Sequence, residues 1–245
     1  MTKEYEVIKN YLSPNPYSRP QLKMYAIKGI AIHWVANPMT TAMSNRNYFN
    51  NLKNQTSRYA SAHEIIGLNG EVIVCLPKNE VAYHVGAKKY KDKALKLLGS
   101  YPNKYLYGIE CCHPDWGGKF NTKTYETLIN RVSDLLVEFN LKPSKDTLWR
   151  HYDVTGKDCP HYYVQNPNAW DKLILDITKR YNEKVEVLFM AKLQEWQKEM
   201  GNKSINNLAK KELIDSPDKW KETLADTVPQ WLFWSMLDRI SKGVK

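Results

Sequence analysis

Two short, almost unbroken apolar runs constrain this chain most: Ile27–Trp34 (IKGIAIHW) and Tyr105–Cys112 (YLYGIECC). Runs of this length, without polar alternation, read as strands buried on both faces of a sheet. Ala60–Ile66 and Glu71–Leu76 flank Gly67-Leu68-Asn69-Gly70 and read as a hairpin, because Asn-Gly accepts the positive φ that a tight turn requires. Helical periodicity alternates with these strands. Tyr125, Leu128, Ile129, Val132, Leu135, Leu136 and Phe139 fall on one helical face. Asn168 is a suitable N-cap for a second helix with Leu173, Ile174 and Ile177 on its inner side, and Asn45–Leu52 suits a third. The expected fold class is α/β: a central mixed β-sheet flanked by helices.

The pattern stops near Asn182. Residues 1–182 contain all six His, all four Cys and all sixteen Tyr, whereas residues 183–245 contain none of these but four of the eight Trp. The tail reads as short helices, one of them opened by Asp215-Ser216-Pro217. Two domains are therefore expected, 1–182 and a small all-helical C-terminal module at 183–245. The formal net charge of the 245 residues is +10, and +9 of it lies in the first part. A basic excess of this size favours an anionic partner such as nucleic acid, a membrane surface or a cell-wall polymer. No nucleic-acid reading motif accompanies it. No apolar run approaches the ~20 residues that cross a bilayer, and MTKEYEVIKNYLSPNP has charges and turn formers where a signal peptide needs an apolar block. The expectation is synthesis in the cytoplasm without a signal peptide and no membrane partner. Four irregularly placed cysteines make no disulfide framework.

Among side chains that carry chemistry, His33 closes the first apolar run, where α/β folds often present residues to a cleft. His151 and Cys159 stand in a His-x7-Cys spacing. Imidazole and thiolate are good zinc ligands, and a catalytic site needs three of them with a fourth position left open. The spacing is not a motif by itself, and a lone strand histidine is usually structural. Gly-x-Ser-x-Gly, phosphate-loop and dinucleotide signatures are absent, and no second carboxylate is singled out to pair with Glu110 for glycoside hydrolysis.

The segment from Arg150 to Pro160 (RHYDVTGKDCP) closely resembles the signature of zinc-dependent N-acetylmuramoyl-L-alanine amidases of the bacteriophage endolysin and T7 lysozyme type, related to animal peptidoglycan recognition proteins. Further landmarks follow in the family's order: Asn15–Pro20, Ile30–Trp34, Ser61–Ile66, Val81–Gly86 and Tyr107–Glu110. The resemblance covers residues 5–180 and leaves out the tail. It implies that His33, His151 and Cys159 bind one Zn²⁺ per chain, that Glu110 is the general acid/base and that Lys157 stabilises the oxyanion. The residue types agree: Glu110 sits in an apolar strand, a setting that raises a carboxyl pKa, and Lys157 brings positive charge two residues before Cys159. The competing reading pairs Glu110 with a nearby arginine and leaves Lys157 solvated. His84 matches a position along the family's substrate cleft, so it is either a substrate contact or a hydrogen-bonded structural histidine. His63 is assigned no role, and His113 and His161 read as neighbours of the motifs. Cys75, Cys111 and Cys112 read as small buried residues, the adjacent pair on opposite strand faces.

The resemblance therefore implies a peptidoglycan hydrolase that cuts between N-acetylmuramic acid and L-alanine, acting on a Gram-positive wall after release from the cell that makes it. Its alternative is a peptidoglycan-binding protein of the same fold that does not cut, and the presence of Cys159 speaks against that. The C-terminal module has the position of a wall-binding module. Trp231, Phe233 and Trp234 would stack on sugars or, the favoured reading, form the core of a helical bundle with Leu208, Leu213, Ile214, Trp220 and Leu224. Self-association through its apolar face is a further option.

Overall fold

The structure is a computed structural model and describes residues 5–55, 57–190 and 195–222. Six strands form one sheet: β1 (Val7–Lys9), β2 (Gly29–Trp34), β3 (Glu64–Ile66), β4 (Val72–Val74), β5 (Leu106–Cys111) and β6 (Leu148–Arg150). The order across the sheet is β1-β4-β3-β5-β2-β6. Only β3 and β4 run antiparallel, across the Asn-Gly turn where Gly70 takes φ +84°; the other neighbours are parallel. The sheet is thus mixed, as the sequence implies. The two long apolar runs become its adjacent central strands β2 and β5.

Eight α-helices are described: α1 (Ala42–Asn51), α2 (Asp92–Leu98), α3 (Thr122–Glu138), α4 (His151–Thr155), α5 (His161–Gln165), α6 (Pro167–Met190), α7 (Glu195–Lys210) and α8 (Pro217–Glu222). Thr41 caps α1 and Asn121 caps α3, each side chain accepting from the backbone N–H three residues on. The start of α6 differs from expectation. It begins at Pro167, because a proline's fixed φ suits the first helical position and its missing N–H is no loss there.

Side-chain alternation along β2 and β5 divides the core between two faces. Ile30, Ile32, Tyr107, Ile109 and Cys111 point to the face covered by α3 and α6, where Leu128, Val132, Leu135, Trp170 and Ile177 close over them. Ala31 and Leu106 point the other way, with Val85, Leu98, Trp149 and Val154. Cys112 falls in a separate cluster with Ile65, Ile73 and Phe49, so the adjacent cysteines do face opposite sides. On β2 the same alternation sends His33 to the Ala31 side, away from α3 and α6.

The chain divides into two compact units, Met1–Lys184 and Val185–Lys245. In the second, α7 and α8 contact each other, and Leu208, Leu213 and Trp220 retain substantial exposure. Leu224, Trp231, Phe233 and Trp234 lie outside the described residues.

Candidate metal centre and active site

The register between the two central strands sets His33 opposite Glu110, and β6 lies on the other side of β2 with Arg150 opposite Ile32. His151 is therefore delivered beside His33 as the first residue of α4. Asp153 secures the start of α4 there, its Oδ2 accepting from the Arg150 backbone N–H at 2.9 Å. Gly156 ends α4 in the left-handed region (φ +85°) and turns the chain back. The Tyr152 N–H then donates to the Cys159 carbonyl at 3.0 Å, which brings the cysteine under the two histidines.

One ligand atom each from His33, His151 and Cys159 lies within 4.8 Å of the other two, and all three residues are buried. The Cys159 Sγ is 3.5 Å from His33 Nδ1. Burial, assisted by the charges of His151, His84 and Lys157, holds the His33 pKa well below its ordinary value, and burial with Lys157 lowers that of His151 to about 3. Both imidazoles are therefore neutral and free to donate. Burial pushes the Cys159 thiol well up, and a nearby dication is what makes a thiolate stable in such a place. Two imidazoles and one sulfur fit a divalent ion with a nitrogen and sulfur preference.

Among the described residues, no arginine pairs with Glu110. Burial raises its carboxyl from 4.5 to about 8, with the Lys157 charge opposing, and its enclosed Oε2 has no hydrogen-bond partner among the described residues. The arginine that seeks a sheet carboxylate goes elsewhere, to Glu64 from α3. His33, His151, Cys159, Glu110, Lys157 and His84 line one cleft of about 400 Å³. The same cleft is lined by Tyr48, Tyr59, Tyr83 and Tyr101, with Arg58. These residues come from loops and one helix with no shared motif, and sequence reasoning missed them.

The remaining histidines separate cleanly. His84 hydrogen-bonds His33 Nε2 through Nδ1 and the Leu106 carbonyl through Nε2, both at 3.0 Å. His63 is fully buried, accepts from the Gly108 N–H at 2.9 Å, and stacks on Tyr107 with ring centroids 4.2 Å apart. His113 and His161 both pack against the Trp34 ring, at 4.6 and 5.3 Å between centroids, outside the trio. Cys75, Cys111 and Cys112 are buried and unbridged.

A family model described as N-acetylmuramoyl-L-alanine amidase matches residues 23–162, more than half of the chain and a span that includes the expected site. The chain belongs to the N-acetylmuramoyl-L-alanine amidase family. Among curated relatives in that family, a probable N-acetylmuramoyl-L-alanine amidase of Bacillus licheniformis is 37% identical over 161 residues, covering 66% of this chain and 44% of its own length. The amidase BlyA of Bacillus subtilis is 35% identical over 163 residues, 64% of this chain and 42% of its own. The chain thus spans less than half the length of these amidases. A mutant endolysin from Bacillus subtilis superimposes with a TM-score of 0.56 at 24% identity, covering 71% of this chain and 99% of that structure, which establishes a shared fold. The amidase match ends before the C-terminal module, and no described helix is long and apolar enough to cross a membrane.

Proposed function

We propose that this chain is a peptidoglycan hydrolase that cleaves the amide bond between N-acetylmuramic acid and L-alanine, with His33, His151 and Cys159 holding one Zn²⁺. The observation that carries the reading is the convergence of those three donors beside Glu110, whose enclosed Oε2 has no hydrogen-bond partner among the described residues. Zinc in such a site supplies Lewis-acid polarisation of a carbonyl and acidification of a water molecule.

The protein's own groups do the rest. Glu110, with a pKa near 8, exchanges a proton readily near neutrality, the property a general acid/base needs. It takes a proton from the attacking water and returns it to the nitrogen as the C–N bond breaks. Water's oxygen ends in the new muramyl carboxylate, and L-alanine leaves with a free amine. Lys157 lines the same cleft and sets positive charge where the carbonyl oxygen turns anionic. The tyrosines that line the cleft offer flat faces and hydroxyls to the glycan and peptide. The partner we assign is the peptidoglycan of a Gram-positive wall, reached after release, with the basic 1–182 domain attracted to its anionic polymers. For 183–245 we propose wall binding, with self-association as the competing role.

The deciding experiment digests purified cell walls and identifies the new ends by mass spectrometry. New L-alanine amines are expected; new reducing sugar ends with no free amines overturn the assignment. Glu110→Ala, with its zinc content unchanged, should lose more than about tenfold in rate.

A further inference from the structure

The tautomer of His33 follows from a backbone carbonyl two residues removed in the hydrogen-bond chain. The Leu106 carbonyl can only accept, so the nitrogen of His84 that faces it at 3.0 Å, Nε2, carries the hydrogen. A neutral imidazole has one N–H, which leaves His84 Nδ1 as a bare acceptor. That acceptor lies 3.0 Å from His33 Nε2, so His33 Nε2 is the donor. The lone pair of His33 is then on Nδ1, the nitrogen that faces the Cys159 sulfur at 3.5 Å inside the cluster of ligand atoms.

We propose that His84 is a positioning residue: it carries the pull of the Leu106 carbonyl to His33, fixes that ring's tautomer and orientation, and so presents Nδ1 to the metal. The proposal rests on the metal reading given above. A ligand histidine whose second nitrogen donates to a fixed acceptor is oriented and made more basic, and losing such a partner typically costs 10–100-fold in metal affinity.

Two further features serve this placement. The backbone N–H groups of His84 and Val85 both donate to Asn103 Oδ1, at 3.3 and 3.0 Å, which pins the loop. On β5, Gly108 clears the space for the ring: a Cβ there would stand 2.6–2.7 Å from three His84 ring atoms. A glycine inside a strand marks such a close approach. Both His84 nitrogens are engaged within the protein, so a substrate meets only the carbon edge of the ring.

The test uses the full-length chain. Zinc affinity is measured by competition with a chromophoric chelator for wild type, His84→Phe and His84→Asn. His84→Phe keeps the ring but removes the acceptor and should bind zinc 10–100-fold more weakly. His84→Asn can offer its Oδ1 to His33 Nε2–H and should recover most of that loss. Independently, ¹⁵N spectra of histidine-labelled, metal-free wild type should show His33 protonated on Nε2. Unchanged zinc affinity in a folded His84→Phe protein overturns the proposal, as does a His33 proton on Nδ1. So does a raised KM with zinc affinity intact, which would make His84 a substrate contact. If wild type binds no zinc at all, the metal reading falls, while the spectra still decide the hydrogen-bond chain.

Discussion

Glu64 and Arg131 meet as a two-point ion pair beneath the sheet, the Arg131 Nε donating to Glu64 Oε2 at 2.8 Å and Nη2 to Oε1. The Tyr107 hydroxyl adds a third donor at 2.8 Å, and Glu64 is wholly enclosed. Removing one member of a buried pair strands the other charge, at a cost of about 3–5 kcal/mol. Arg131→Met should therefore destabilise the protein by that amount in urea unfolding. The double variant Glu64→Gln/Arg131→Met should recover most of it, since the stranded charge is gone. A double variant as unstable as the single would show that packing around Arg131, not its charge, is what matters.

Glu110 gives a signed pH dependence. Its folded pKa of about 8 exceeds the ordinary 4.5 because burial disfavours the carboxylate. Between these values the folded protein keeps a proton that the unfolded chain releases, so the associated stability is complete below about pH 4.5 and is lost as pH rises through 8. Metal-free wild type should accordingly lose stability relative to metal-free Glu110→Gln between about pH 5 and 8. The divergence should reach at least about 1.4 kcal/mol, the equivalent of one pKa unit. Parallel stability curves for the two proteins would mean that Glu110 ionises normally.

Zinc should stabilise the folded chain by mass action, by about 2.7 kcal/mol at a hundredfold excess over its Kd. Thermal melts with zinc and with a chelator should therefore differ for wild type. In Cys159→Ala the difference should shrink sharply and metal analysis should fall below one zinc per chain. One zinc retained by Cys159→Ala would remove Cys159 from the ligand set.

Gly118 adopts φ +71°, and a Cβ there would lie 2.7–2.8 Å from the Trp34 ring. Gly118→Ala combines left-handed strain of about 1–2 kcal/mol with a clash against a ring packed by His113 and His161. Destabilisation of about 1–3 kcal/mol is expected, with a changed near-ultraviolet circular dichroism spectrum from the displaced indole. Wild-type stability and spectrum in this variant would show that the loop around residue 118 yields freely.

How much of this was legible in the sequence depended on length and distance. The apolar runs of β2 and β5 and the long stripe of α3 were readable because each carries enough residues to establish a period or its absence. Strands β1 and β6 were not, since three residues have no periodicity and gain their identity from a neighbouring strand. His33, His151 and Cys159 became a set through family resemblance; spacing alone left them apart, because the β2–β6 pairing that unites them is not written locally. Glu110 was readable as a perturbed carboxyl from its apolar surroundings. Glu64 was not, because its arginine comes from a helix more than sixty residues on. The cleft tyrosines were missed for the same reason: they share a cleft but no local pattern.

The position of β2 in the sheet governs when the site can come into being. Both of its hydrogen-bonding neighbours, β5 and β6, are made later in synthesis than β2 itself. A nascent chain must carry that apolar strand unpaired across a long loop, the kind of non-local closure that slows folding and invites aggregation. No fragment that stops short of Cys159 brings the three candidate ligands together. On the proposed metal reading, the zinc content of a preparation would report whether β2 and β6 have paired.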